Sequence, residues 1–406
     1  MLNAGSFFDA FPETLRLLVA TAPYWIPVFL FVFAWMLWRR YLEIDYISKM
    51  EWIVLEVKLP LDILKSPLAM EVVLTALFQS NPGNPYERWF QGRVTRWSSL
   101  EIVSHEGDVR FYIRILAGFK NLVESRIYSQ YPGVEVKEVE DYVGEVEYNG
   151  PDGEWNVWGI QYKLKKPDAY PIKTYVDYEL DRQTFREEQE AAKVDPLVSI
   201  IEFFSTIGRG EQLWLQILVR ASKKEFRVPN TWFGKQDWRG EGKELIAKLR
   251  EEGKTDIVKA LERSISKHGF DVGIRAMYVA KSDVFSMGRT NGLRVAFEPF
   301  NSEVYNAFGR VDGTDSEEPF KNINWDFSGG ILEWKFERTH KAKKRTFDAY
   351  CARSWFYQPY KNRRAPFILN TEELATIYHF PGRVLETPSF VRVGTKKSVP
   401  PVNLPI

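Results

Sequence analysis

The chain has 406 residues, 45% hydrophobic and 27% charged, with 55 Lys and Arg against 54 Asp and Glu. This is a globular composition with room for about two domains, and it lacks the basic excess of a dedicated duplex-DNA binder. A lone cysteine, Cys351, excludes an intrachain disulfide framework and a cysteine-rich zinc site, and it fits a reducing compartment.

From Leu17 to Trp38, "LLVATAPYWIPVFLFVFAWMLW" carries no charge over 22 residues. At about 1.5 Å per residue it is long enough to cross a hydrocarbon core of about 30 Å. Tyr24, Trp25, Trp35 and Trp38 lie where interfacial aromatics anchor a span, and Pro23 and Pro27 are tolerated near its start. A cleaved signal peptide would need a basic leader and a small-residue cleavage site. Asp9 and Glu13 against Arg16 alone, followed later by bulky "WMLWRRYLE", favour an uncleaved transmembrane helix. Arg39 and Arg40 directly after it place the downstream chain in the cytoplasm by the positive-inside rule. Residues 1–16 are then a short extracytoplasmic N-terminus, and the inner membrane is the expected location. Setting aside Arg16, Arg39, Arg40, Asp9 and Glu13 leaves 52 basic and 52 acidic residues, so a polybasic membrane patch is not expected.

"EWIVLEVKLP" (Glu51–Pro60) alternates like a strand. "SPLAMEVVLTALFQS" then reads as a helix, with Ser66 at the N-cap and Pro67 at the first helical position. "SSLEIVS" and "VRFYIRI" form a hairpin around Gly107. "FKNLVESRIYSQYPG" predicts a helix and "VEVKEVEDYV" a strand. The order strand, helix, strand, strand, helix, strand is the split βαβ, ferredoxin-like pattern.

A second pass starts at Trp155. "WNVWGIQYKLKK", "GEQLWLQILVRAS" and "FDVGIRAMYVAK" read as strands. Between them lie "TFREEQEAAKVDPLVSIIEFFSTIG", mostly helical, and "GKELIAKLREEGKTDIVKALERSISKHG", one broken helix or two. "YPGVEV" (Tyr131–Val136) and "KHGFDV" (Lys267–Val272) match as a short internal repeat. Asn301 to Ser328 reads as a long loop, and "ILEWKFERTHKAKKRTFDAYCARSWFY" as a strand and then a helix. The predicted class is α+β: an N-terminal transmembrane helix (17–38), two ferredoxin-like (βαββαβ) domains (51–150 and 155–300), a loop and C-terminal helical region (301–387), and an extended proline-rich tail (388–406).

No GxxxxGK[ST] run and no GxGxxG turn is present, so the sequence lacks the phosphate-cradling loop of a nucleotide motor. The four histidines, His105, His268, His340 and His379, form no close metal pair. No serine sits in a GxSxG elbow. The reading is therefore of a protein that is not an enzyme and uses no cofactor or metal. Two stretches remain. "RTHKAKKRTF" with "WFYQPYKNRR" offers Lys341, Lys343, Lys344, Arg345, Arg363 and Arg364 for phosphate contact, against the plainer reading of a solvated face. Aromatics interleaved with Lys361, Arg363 and Arg364 could also stack on single-stranded nucleic acid. "FILNTEELATIYHFPG" predicts a capped helix, with Asn370 and Glu373 as a capping box, Glu372 and Glu373 at the positive helix end, and Pro381–Gly382 as the stop.

Together, "RRYL" after the anchor, "SLEIVSHEGDVRFYIR", "FKNLVESRIYSQYPGVEVKEVEDY", "GRGEQLWLQI", "DIVKALERSISKHGFDVGIRAMYVAK" and "ILNTEELATIYHFPG" resemble a bacterial family of membrane-anchored proteins common in the small-genome candidate phyla. These segments are similar to the region preceding the motor domain in type IV secretion and conjugation ATPases. As a set the motifs identify a family rather than a chemistry. The resemblance implies partnership with a P-loop ATPase. In the fused proteins, "TEELATIYHFPG"-like and "PPVNLPI"-like segments lead towards the motor. Because the sequence stops at Ile406, the expectation is a separate ATPase subunit, with Glu372, Glu373, Tyr378, His379, Phe380 and the tail as its docking end. The alternative is a single-stranded nucleic-acid-binding module at the membrane.

Overall fold

The computed structural model describes residues 4–60, 65–150, 152–181, 194–222, 225–227, 235–311, 331–362 and 364–381. Of the first three helices, α1 (Ala4–Ser48) and α3 (Pro85–Phe90) form one compact unit, Met1–Met50 with Pro82–Val94. The other unit, Glu51–Asn81 with Thr95–Ile406, contains α2 (Leu68–Ala76).

The uncharged run lies within α1, a continuous helix of 45 residues. At about 1.5 Å per residue this is roughly 65–70 Å, well beyond a bilayer core. None of its most apolar 18-residue window is buried by the rest of the chain, so one N-terminal helix is long and apolar enough to span a membrane.

The larger unit is built on one antiparallel sheet. Its first pass is β1 (Trp52–Lys58), α2, β2 (Ser98–His105), β3 (Asp108–Leu116), α4 (Lys120–Gln130) and β4 (Glu135–Val139). The second is β5 (Trp155–Leu164), α5 (Pro196–Ser205), β6 (Glu211–Ala221), β9 (Gly269–Lys281), α8 (Met287–Val295) and β10 (Phe308–Val311). Between β6 and β9 come the hairpin of β7 (Glu225–Arg227) and β8 (Lys235–Asp237), then α6 (Trp238–Glu251) and α7 (Thr255–Ser266). The sheet order is β10-β5-β9-β6-β2-β3-β1-β4, and β11 (Phe367–Asn370) pairs with the start of β9.

Within each pass the strands lie in the same order: fourth, first, third, second. The passes meet where β2 pairs with β6, from Ser98↔Val219 to His105↔Gln212. The sequence predicts two domains; the structure joins them into a single sheet. The predicted repeat match also falls elsewhere. Gly133 precedes β4, a fourth strand, whereas Gly269 opens β9, a third strand. The topology repeats, but those two glycines are not equivalent; each follows a helix, where glycine is common for local reasons.

Two more expectations are corrected, and the capped helix after Asn370 is met. The predicted loop after Asn301 contains β10, which pairs with β5 from Phe308↔Leu164 to Val311↔Gln161. The predicted strand and helix after Ile331 form one helix, α9 (Ile331–Cys351). The segment "FILN" is a strand, and α10 (Thr371–Ile377) follows it directly. The long helical run divides at Gly253, whose φ of 74° favours glycine.

Both faces of the sheet are covered, which is why strands such as "LWLQILV" read as apolar runs broken by a single polar residue. On one face Leu55, Leu100, Ile113 and Ile217 pack with Leu74 of α2, Ile127 of α4, Ile200 of α5 and Leu374 of α10. On the other, Val103, Trp214 and Met277 pack with Phe347 and Tyr350 of α9.

Candidate functional site

The capping box of α10 is present. Glu373 N–H donates to Asn370 Oδ1 (2.9 Å), and Asn370 N–H donates to Glu373 Oε2 (2.9 Å). The docking surface expected here is not. Glu372, Glu373, Tyr378, His379 and Phe380 are each no more than 2% exposed. This short helix packs against α2 and α5, so its charged groups meet the chain's own residues.

Glu372 Oε1 accepts from Thr174 Oγ1 (2.6 Å) and pairs with Arg263 (3.1 Å). Lys267 Nζ lies 2.8 Å from Glu372 Oε2 without the angle of a hydrogen bond, and it donates to Glu71 Oε1 at 2.7 Å. Glu71, on α2, also accepts from Tyr175 OH (2.5 Å) and Thr371 Oγ1 (3.1 Å). Glu373 Oε1 accepts the Ile172 backbone N–H (2.9 Å). Burial pushes the Glu373 carboxyl up to about 8 although two backbone donors favour its ionised form.

His379 lies between two acceptors. Nδ1 is 2.9 Å from the Ala375 carbonyl and Nε2 is 2.9 Å from Asp195 Oδ2. Neither partner can donate, so satisfying both requires a proton on each ring nitrogen. Burial works against that charge, but the Asp195 carboxylate outweighs it and raises the imidazole above its ordinary value. Asp195 also caps α5 through Leu197 N–H (2.9 Å). Phe380 packs edge-on to Phe111 and Tyr131, and Tyr378 OH donates to the Tyr112 carbonyl (3.0 Å).

A second polar cluster lies on the opposite face, where the two passes meet. Across β3, β2, β6, β9 and β5, the paired positions Tyr112, Glu101, Gln216, Arg275 and Gln161 form one row. Gln216 donates to Glu101 Oε1 (2.9 Å), and Arg275 Nε donates to Gln216 Oε1 (2.7 Å). The segment after α9 covers this row. Arg353 grips Glu101 through Nε (3.0 Å) and a terminal nitrogen (3.1 Å). It grips Asp141 with 2.5 and 2.7 Å bonds and donates to the Cys351 carbonyl (3.0 Å). All five guanidinium N–H groups are thus used.

Burial works to raise the Glu101 carboxyl, yet the charge of Arg353 and donation from Arg353, Ser99 and Tyr142 hold it at about 2. Tyr142 OH donates to Glu101 (2.7 Å), which leaves Tyr350 OH to donate to Tyr142 (2.9 Å). Further along, Ser354 accepts from Arg275 through its carbonyl (2.8 Å), and Asn362 Nδ2 donates to Gln161 (2.8 Å).

The basic stretch separates. Lys341, Lys344 and Arg345 are exposed at spacings that put them on one face of α9. Lys343 is half-buried and donates to Asn156 Oδ1 (2.9 Å). Arg364 is exposed in the following segment, and Arg363 lies outside the described residues, as does the tail from Gly382. The described His, Cys, Asp and Glu residues form no group of three or more that could hold a metal.

The polar groups that join the halves belong to no short motif. Their signal was compositional: Gln216 and Arg275 each interrupt an apolar strand run, and Glu101 sits between Leu100 and Ile102. A buried polar group of that kind needs partners. What the two clusters do chemically is hold the C-terminal segments to the sheet. Comparisons with protein-family models, with curated proteins and with solved structures found no match.

Proposed function

We propose that the chain is a membrane-tethered, non-enzymatic scaffold for a DNA-translocating or secretion-type P-loop ATPase. One observation carries the scaffold part: an exposed apolar helix precedes a body whose two buried charge clusters are paired with the chain's own residues. The class of partner rests on the resemblance of the quoted segments. Arg39 and Arg40 after the span favour a cytoplasmic body at the inner membrane. The order β4-β1-β3-β2, repeated as β10-β5-β9-β6 with every neighbour antiparallel, supports two ferredoxin-like halves fused edge to edge.

Docking then falls to surfaces other than Glu372–Phe380. A mild-detergent pull-down of the full chain, followed by mass spectrometry, tests this. A P-loop ATPase at near-equal stoichiometry is the expected result, and its absence overturns the scaffold reading. A second reading, single-stranded nucleic-acid binding, is favoured by the exposed Lys341, Lys344 and Arg345 face. It requires salt-dependent recovery of nucleic acid without the ATPase.

A further inference from the structure

Helix α3 has six residues, too few to be stable by propensity alone. It is held by its ends. Glu87 N–H donates to Asn84 Oδ1 (2.8 Å), Asn84 N–H donates to Glu87 Oε2 (3.0 Å), and Arg93 donates to the same carboxylate (2.5 Å). Within the same unit it is fixed against α1. The Phe90 ring lies 5.9 Å from that of Trp35, and the Arg39 guanidinium sits 4.3 Å above the Trp89 ring. Gly92, at φ 69°, approaches the Leu42 carbonyl so closely that a methyl group would collide with it.

This turn nevertheless leaves much of its apolar face exposed. Tyr86, Trp89 and Phe90, at positions i, i+3 and i+4, share one side and are 63%, 44% and 54% exposed. Arg88 points from the other side of the turn and is also exposed. The patch adjoins the stretch of α1 from Trp35 to Leu42, where the apolar run gives way to Arg39 and Arg40. Amphipathic aromatics at that level match the boundary between lipid headgroups and acyl chains.

We infer that Pro82–Val94 is a second membrane contact, a short interfacial helix whose Tyr86, Trp89 and Phe90 face lies in the bilayer surface beside α1. The inference rests on α1 spanning the membrane. The occupant is lipid because the patch continues the exposed apolar surface of α1 and ends where its charges begin. The contact fixes the rotation of α1 about its own axis, which a lone span leaves free.

The test is spin-label depth measurement on the full chain in lipid vesicles. Cys351→Ala removes the native thiol, and a nitroxide is attached singly after Tyr86→Cys, Trp89→Cys, Arg88→Cys or Phe31→Cys. The expected result is a ratio of oxygen to nickel-chelate accessibility several-fold higher at 86 and 89 than at 88, approaching the value at 31. If 86 and 89 match 88 while 31 reads as hydrocarbon, the inference fails and the span stands. If 31 is also aqueous, both fail. Low access to both relaxers at 86 and 89, with dipolar broadening, would mean that a second copy covers the patch and would likewise overturn it.

Discussion

His379 and Glu101 set opposite limits on stability. The imidazole is raised in the folded chain, so its contribution is complete below its ordinary value of 6.5 and is lost as pH rises through the folded value. Glu373 acts in the same sense: its contribution is complete below 4.5 and lost as pH rises to about 8. Glu101 is depressed, so its contribution is present above 4.5 and lost as pH falls to about 2. Stability is therefore expected to peak on the acid side of neutral. Denaturant midpoints of the full chain in detergent, measured across pH, check this, and a maximum at or above pH 8 contradicts it. Glu373→Gln should flatten the alkaline fall. Glu101→Gln removes the buried carboxylate and leaves Arg353 to the partly exposed Asp141 alone, and His379→Ala leaves Asp195 without its imidazole, so each should cost about 3–5 kcal/mol. A loss below about 1 kcal/mol, the range of a surface pair, would mean that water reaches these groups.

At the scale of elements, the cover over the polar row depends on a close approach. Gly273 in β9 lies directly beneath the Trp355 indole, and a methyl group there would collide with the ring. Glycine inside a strand marks such an approach. Gly273→Ala is expected to cost about 1–3 kcal/mol, as overpacking does, and to shift tryptophan fluorescence as Trp355 is displaced. The conservative Gly288→Ala, at a position where a methyl group meets only the Ser286 hydroxyl at 3.6 Å, serves as the control. The contrast between these elements shows what was legible in the sequence. The box between Asn370 and Glu373 is written within four residues, so it could be read directly. Glu372 and Glu373 could be placed at a helix start but not inside the protein, because their partners Thr174 and Ile172 lie 198 and 201 residues away. Local patterning specifies caps and strand periods; it does not specify which face of a short helix the rest of the chain will cover.

At the scale of the whole molecule, the element order of the first pass was legible apart from α3, and the joining of the halves was not. The two passes read as separate because each has its own strands and helices. Their fusion depends on β2 being an interior strand, buried from Ser98 to Ser104, and on Glu101 meeting Gln216 across the join. Residues 51–150 expressed alone would expose that eight-residue edge, an open template for pairing. Dimers or aggregates are expected by light scattering. A well-folded monomer would show that the first pass does not need its neighbour. The aromatic side chains divide: Trp214, Phe347, Tyr350 and Tyr142 pack in the core on the polar-row face, while Tyr86, Trp89 and Phe90 are exposed.

The bond between Thr371 and Glu71 spans 300 residues of chain. At a synthesis rate of about 5–20 residues per second, Glu71 leaves the ribosome roughly 15 to 60 s before Thr371 does. For that interval Glu71 lacks the strand and helix that later cover it, as does Tyr175 once it is made, although α1 is complete before either. The larger unit therefore stays open on this face until Phe367–Phe380 arrives to close it.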